Sequence, residues 1–377
     1  MITTSGRLHY LDSLRGIAAL LVVFYHLLGW HYGAASWWHL TAIIINGADA
    51  VSFFFVLSGL VLALPYFQRQ RRVRPRQFIW RRIWRLFPAF ILTIALNFLA
   101  WHRVAIWKEG FFHVLSQKAG ELLPELAMIL NHHLYYAPGW TLGVEFYGSL
   151  LVLALVWTVG RNRRWLWAIL LLSLVLPVHR LGLFITHFTL GVMLAAYWPE
   201  IKKPSRVAAS RAFLSQPLVV YFVLPLVFLS LFSFRHLSRL NDWGLESASW
   251  NWLRPFCWSA LAATLLLYLV IQRPSWQRRL EHPWLLAAGR WSYGIYLTHW
   301  LPVALLMGKW EWWLAVGGGT LGAFLLTATI SLAATLASAA LLYRYVELPF
   351  IHWSKHGALA TRCFGRSTGS KQAETKG

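Results

Sequence analysis

Arg15 and His26 are ionisable side chains set in an apolar run, where a charge is costly enough to need a reason. They stand eleven positions apart. On a helix of 3.6 residues per turn that places them within about 20° of one face and roughly 16 Å apart in depth. A guanidinium near one mouth and an imidazole farther along could line a path for acid–base chemistry. A snorkelling arginine and a hydrogen-bonded core histidine would account for the same pair. Glu145, in Trp140-Thr141-Leu142-Gly143-Val144-Glu145-Phe146-Tyr147, is a second such group. Counted from the ends of their spans, Glu145 lies about 7 Å deep and His26 about 9 Å deep. Agreement in depth makes a His–Glu pair the expectation, with a structural Glu bonded to Tyr or Trp as the alternative.

A third candidate lies within the run Arg69, Arg71, Arg72, Arg74, Arg76, Arg81, Arg82 and Arg85. Membrane topology explains most of it. Arg82 and Arg85 are three apart at a helix start and share a face, which suits a bidentate grip on a phosphate as well as it suits topology. The fourth is Trp291-Ser292-Tyr293-Gly294-Ile295-Tyr296-Leu297-Thr298-His299, whose polar groups could line a cavity. An interfacial aromatic belt is the competing reading, though it does not cover Ser292 and Tyr293.

The elements that must hold these groups follow from composition. Of 377 residues 58% are hydrophobic and only 13% charged, against about 25% charged in soluble domains. That excludes disorder and a soluble fold, and leaves an all-α polytopic transmembrane bundle. Apolar runs give ten spans: 14–32, 48–67, 83–101, 141–160, 165–179, 181–199, 217–235, 253–271, 284–306 and 315–345. With both termini cytoplasmic, 27 of the 35 Lys and Arg fall on the inner side and eight on the outer. The formal charge of +22 is thereby read as loop charge setting topology, and no nucleic-acid partner is expected. Residues 1–354 form the membrane domain, and 355–377 are expected to be a disordered cytoplasmic tail. The first run is too long for a signal-peptide core, although Ala34-Ala35-Ser36 follows it.

Several machines are excluded. Cys257 and Cys363 support neither a disulfide framework nor a metal cluster, and no metal is expected. Gly317-Gly318-Gly319-Thr320-Leu321-Gly322 matches G-x-G-x-x-G without the preceding strand a dinucleotide site needs, so helix packing explains it better. Gly-x-Ser-x-Gly, Walker and His-Glu-x-x-His sequences are missing.

At these residues the chain resembles the membrane-bound acyltransferase family 3 proteins. The likeness runs through Tyr10-Leu11-Asp12-Ser13-Leu14-Arg15-Gly16 to Phe24-Tyr25-His26, then Phe53-Phe54-Phe55-Val56-Leu57-Ser58-Gly59 and Arg82-Ile83-Trp84-Arg85-Leu86-Phe87-Pro88. It continues through Trp140–Tyr147, with Thr141 where Ser is usual, Ser292–His299, and the closing Glu347-Leu348-Pro349-Phe350. Six motifs in order cover residues 8–352. The resemblance implies an acyl-CoA donor, usually acetyl-CoA, approached from the cytoplasm, and a hydroxyl on a carbohydrate or glycoconjugate acceptor. It implies His26 as base or acyl carrier with Arg15, and Arg82 and Arg85 on the donor phosphates; the residues read by themselves add Glu145 as the group that orients His26. Asp12, Ser58, Tyr147, Tyr293 and His299 are the expected substrate-lining residues. Many relatives carry a fused extracytoplasmic esterase-like domain that is not found in these residues. The expectation is a protein of the bacterial inner membrane, in contact with lipid, acting alone, as a homo-oligomer or with a separate extracytoplasmic transferase. A proton-coupled transporter or flippase of lipid-linked sugars is the competing function.

Overall fold

Apolar residues in helical stretches dominate the chain, and the structure, a computed structural model, is predominantly helical over the residues it describes. It describes residues 8–32, 46–68, 74–128, 134–159, 162–175, 180–214, 216–225 and 248–355, with no strand among them. The tail expected to be disordered (apart from Lys355, which is helical), most of the run at 217–235 and the Ala34–Ser36 segment lie outside the described residues.

The helices that matter for the site are α1 (His9–Tyr32), α2 (Gly47–Gln68), α3 (Pro75–Glu109), α4 (Phe111–Leu126), α5 (Trp140–Val159), α6 (Arg164–Val175) and α7 (Arg180–Ala196). After a short α8 (Pro204–Leu214) come α9 (Ala248–Gln272), α10 (Pro274–Leu280), α11 (Pro283–Thr298), α12 (Trp300–Met307), α13 (Trp310–Val316) and α14 (Thr320–Leu342). Among the described residues five segments are long and apolar enough to cross a membrane: His9–Leu28, Gly47–Gln68, Pro75–Glu109, Ala137–Val159 and Thr320–Lys355. They coincide with five of the expected spans. The run at 284–306 is broken at His299 into α11 and α12.

α2 is apolar on all sides and sits at the hub, with α1, α5, α7 and α9 packed around it. Two crossings are closer than ordinary side chains allow. Gly59 and Gly191 press α2 on α7, so a Cβ on Gly191 would be driven into the Val56 carbonyl. Gly16 and Gly289 do the same for α1 and α11, where a Cβ on Gly289 would come 2.5 Å from the Asp12 carbonyl oxygen. Small residues that let backbones touch are how helices associate where lipid removes the hydrophobic drive.

Between α4 and α5 the chain leaves the helix, and Tyr135, Tyr136, Pro138 and Gly139 are buried there. Buried non-helical backbone needs its amides satisfied. Glu125, itself buried, does this by accepting from the backbone N–H groups of Leu134 (3.0 Å), Tyr135 (2.9 Å) and Tyr136 (2.9 Å). The Tyr136 hydroxyl then donates to the Tyr296 carbonyl on α11 at 2.5 Å. The start of α5 is thereby carried into the bundle.

The crossing makes a clear prediction. Gly191→Ala should cost folded, monodisperse protein in detergent and lower the melting temperature. Gly120→Ala on α4, where a Cβ meets nothing within 4 Å, should leave it unchanged or raise it slightly.

Candidate active site

Arg82 and Arg85 lie near the start of α3, Arg15 on α1, Ser58 on α2, Glu145 on α5, and Ser292, Tyr293 and Tyr296 on α11. All of them line one cavity of about 100 Å³, with Thr141 and apolar residues of α2 completing the wall. Its anchor is Glu145. The Arg82 Nη2 donates to Glu145 Oε1 at 2.6 Å and the Ser58 hydroxyl donates to the same oxygen at 3.1 Å. Arg82 and Glu145 are 8% and 18% exposed. The contact therefore joins α2, α3 and α5 through a desolvated ion pair.

The other charges arrange themselves around that pair. Arg85 lies within electrostatic reach of Arg15, Arg82, Glu145 and Glu347. Arg15 is 3.5 Å from Asp12, one turn earlier on α1. Glu347 is buried in the π-helical turn Tyr343–Glu347 that follows α14, against Arg85 and the Gly294 backbone. Such turns recur at functional sites because the widened turn redirects a side chain. Tyr293 donates its hydroxyl to the Leu86 carbonyl at 2.7 Å, pinning α11 to α3. The Thr141 hydroxyl lies 2.7 Å from the Tyr296 hydroxyl at the far end of the cavity.

A second cavity of about 260 Å³ opens beside the first and shares Val61, Leu62, Arg82 and Arg85 with it. Its remaining wall includes Tyr66, Arg74, Gln77, Phe78 and Arg81. Four arginines around one opening make a cationic mouth, suited to oxyanions that a guanidinium can grip bidentately.

Of the residues picked from sequence, Arg15, Ser58, Arg82, Arg85, Glu145 and Tyr293 come together in the cavity wall. Asp12 stands behind Arg15. His26 and His299 lie past the Tyr296 end of the cavity and are not among its lining residues. The expected His26–Glu145 pair does not form. Thr141 meets Tyr296, and Glu145 lies one further turn toward the arginines while His299 lies nearly one turn the other way, so the two groups differ in depth by about 10 Å. The depth count failed because α5 begins inside the bundle, below the non-helical segment that Glu125 supports. Tyr147 also departs from expectation: it is 40% exposed, packs its ring on Phe146 and is absent from the cavity wall. Glu347, Tyr296 and Glu125 were not singled out as site residues. A glutamate in the last apolar run was the available signal for the first. No group of three His, Cys, Asp or Glu able to hold a metal occurs among the described residues.

Comparison with known proteins decides the lineage. Residues 8–344 match the Acyltransferase domain family, acyltransferase 3, across nearly the whole chain. This chain belongs to that family. Proteins of Staphylococcus aureus, such as that of strain COL, are named as candidate O-acetyltransferases and are 22% identical over 377 residues, covering 90% of this chain and 56% of their own length. The chain thus spans about half of those relatives. A candidate membrane-bound transacylase of Komagataeibacter xylinus, BcsY, is 27% identical over 169 residues, which is 41% of this chain and 39% of that one. No solved structure matches.

The buried ion pair can be tested on its own. Glu145→Ala strands a desolvated guanidinium and should cost about 3–5 kcal/mol of stability. Replacing both Arg82 and Glu145 by apolar residues of similar volume should cost much less. Thermal unfolding of the two variants in detergent compares them; equal losses would mean the pair is not desolvated as described.

Proposed function

We propose that this protein is a membrane O-acyltransferase that moves an acyl group, acetyl in the first instance, from cytoplasmic acyl-CoA to a hydroxyl of a carbohydrate or glycoconjugate. The observation that carries the reading is the adjacency of two cavities that share Val61, Leu62, Arg82 and Arg85, one a cationic mouth walled by Arg74, Arg81, Arg82 and Arg85, the other an inner chamber that ends at Thr141 and Tyr296. A coenzyme A thioester has the matching form, with phosphates at one end, a narrow arm and a reactive carbonyl at the other.

In this reading Arg82 is held by Glu145, so the phosphates rest mainly on Arg74 and Arg81, with Arg85 behind them. The thioester reaches toward Tyr296 and the imidazoles beyond it. The acceptor hydroxyl attacks the thioester carbonyl as His26 takes its proton. The C–S bond breaks and the thiolate leaves, receiving that proton from His26. The Tyr296 hydroxyl, at the chamber end nearest the imidazoles, stabilises the oxyanion by turning from the Pro138 carbonyl to which it donates at 3.2 Å, while Arg15 belongs with the arginines of the donor end. We infer ten spans with both termini in the cytoplasm from the asymmetry of Lys and Arg, and hence a place in a bacterial inner membrane. The protein would act there alone, as a homo-oligomer or with a separate extracytoplasmic transferase.

Membranes containing the protein, given radiolabelled acetyl-CoA, should transfer label to glycan. His26→Ala should abolish transfer while the protein still inserts, and Arg74→Gln or Arg81→Gln should each raise KM for acetyl-CoA by about tenfold. Export of lipid-linked sugar without transfer of label would replace this reading with a transporter.

A further inference from the structure

His299 stands where the apolar run of α11 and α12 breaks, and it is wholly buried. Its Nδ1 lies 2.6 Å from the Tyr296 carbonyl oxygen, the same oxygen that accepts the Tyr136 hydroxyl. A carbonyl only accepts, so the ring proton sits on Nδ1 and Nε2 is left as a lone pair. That Nε2 is buried and has no hydrogen-bond partner among the described residues. Beside it lies the ring of His26, stacked at 5.3 Å between centroids and 27° between planes. His26 is held edge-on by Tyr25 and Trp300, and its ring makes no hydrogen bond among the described residues.

Buried acceptors are almost always satisfied; several others here make no hydrogen bond, His102 Nε2 among them, but that of His299 has its tautomer fixed and belongs to a ring stacked on His26. Its position next to the family histidine gives it a use. We propose that His299 is the positioning residue for His26, taking the place that the sequence had suggested for Glu145. This rests on the acyltransferase reading above. When His26 takes the acceptor's proton, both of its ring nitrogens become donors, in surroundings with little water to solvate them. The Nε2 of His299 then accepts one of those N–H groups. A rotation about χ2, a broad torsion in histidine, brings the two stacked rings nitrogen to nitrogen. His299 neither gains nor loses a proton. It orients His26 and disperses the charge until the thiolate takes the proton back. The chain of support runs outward from His299 to the Tyr296 carbonyl, to Tyr136, and to Glu125, which holds the backbone of Tyr136.

His299→Asn retains an N–H near the Nδ1 position for the Tyr296 carbonyl and removes the Nε2 acceptor. His299→Gln can place an amide oxygen near Nε2. With protein in lipid nanodiscs and acetyl-CoA as donor, thiol release should fall at least tenfold in kcat for His299→Asn, with KM for acetyl-CoA within twofold. His299→Gln should recover part of the rate, and both variants should melt near wild type. The reactivity of His26 toward diethyl pyrocarbonate, followed by mass spectrometry, supplies a readout that needs no transferase activity. It should drop several-fold in His299→Asn and less in His299→Gln. Unchanged His26 labelling in His299→Asn would overturn the proposal. So would equal loss of kcat in the two variants at wild-type stability. Labelling that depends on His299, in a wild type that releases no thiol, would instead overturn the acyltransferase reading and leave the pair intact.

Discussion

A carboxylate buried among arginines is the constraint on which the rest of this structure turns. Arg15, Arg82 and Arg85 converge on one small chamber, and three guanidiniums brought out of water together would repel one another. Glu145 on α5 and Glu347 beyond α14, carried by two different helices, offset them. The helices must therefore close around the charges as a unit, and the glycine contacts at Gly16–Gly289 and Gly59–Gly191 bring them close enough to do so. What is left toward Arg74 and Arg81 is positive and open, which gives the chamber a mouth with a preference for anions.

The chamber also has two distinct ends. Toward the arginines the wall is charged. Toward α12 it ends at the hydroxyls of Thr141 and Tyr296, and the rings of His299 and His26 lie beyond it. The division suits a reaction in which one substrate is gripped by its phosphates and the other is activated by loss of a proton. It also explains why Glu145 belongs with the donor end, not with the imidazole. Its strongest partner is the nearby guanidinium, and α5 starts too deep for it to reach His26.

Much of this could be read from the sequence, for identifiable reasons. Apolar runs fix where helices lie, so α1, α2, α5 and α14 fall close to the expected spans. α3 runs on to Glu109 because nothing between His102 and Lys108 breaks a helix, while a reading by hydropathy stops at the first charges. Arg15, Ser58, Arg82, Arg85, Glu145 and Tyr293 were recognisable because polar groups in apolar runs are few. Their pairing was not. Depth counted along a single helix assumes that each span begins at the membrane surface, and α5 begins beneath a segment whose amides are capped by Glu125 from a preceding helix. Two arginines at i and i+3 share a helix face, yet Arg82 bonds Glu145 while Glu347 stands against Arg85. That difference is set by α5 and by the π-turn after α14, both distant in sequence.

The most direct measurement is a cryo-EM structure of the protein with a non-hydrolysable acetyl-CoA analogue bound. The account predicts nucleotide density against Arg74 and Arg81, and an acyl end pointing past the Arg82–Glu145 pair toward Tyr296. Density for the analogue on the lipid-facing surface, or entering from the α12–α13 end with its phosphates away from these arginines, would contradict it.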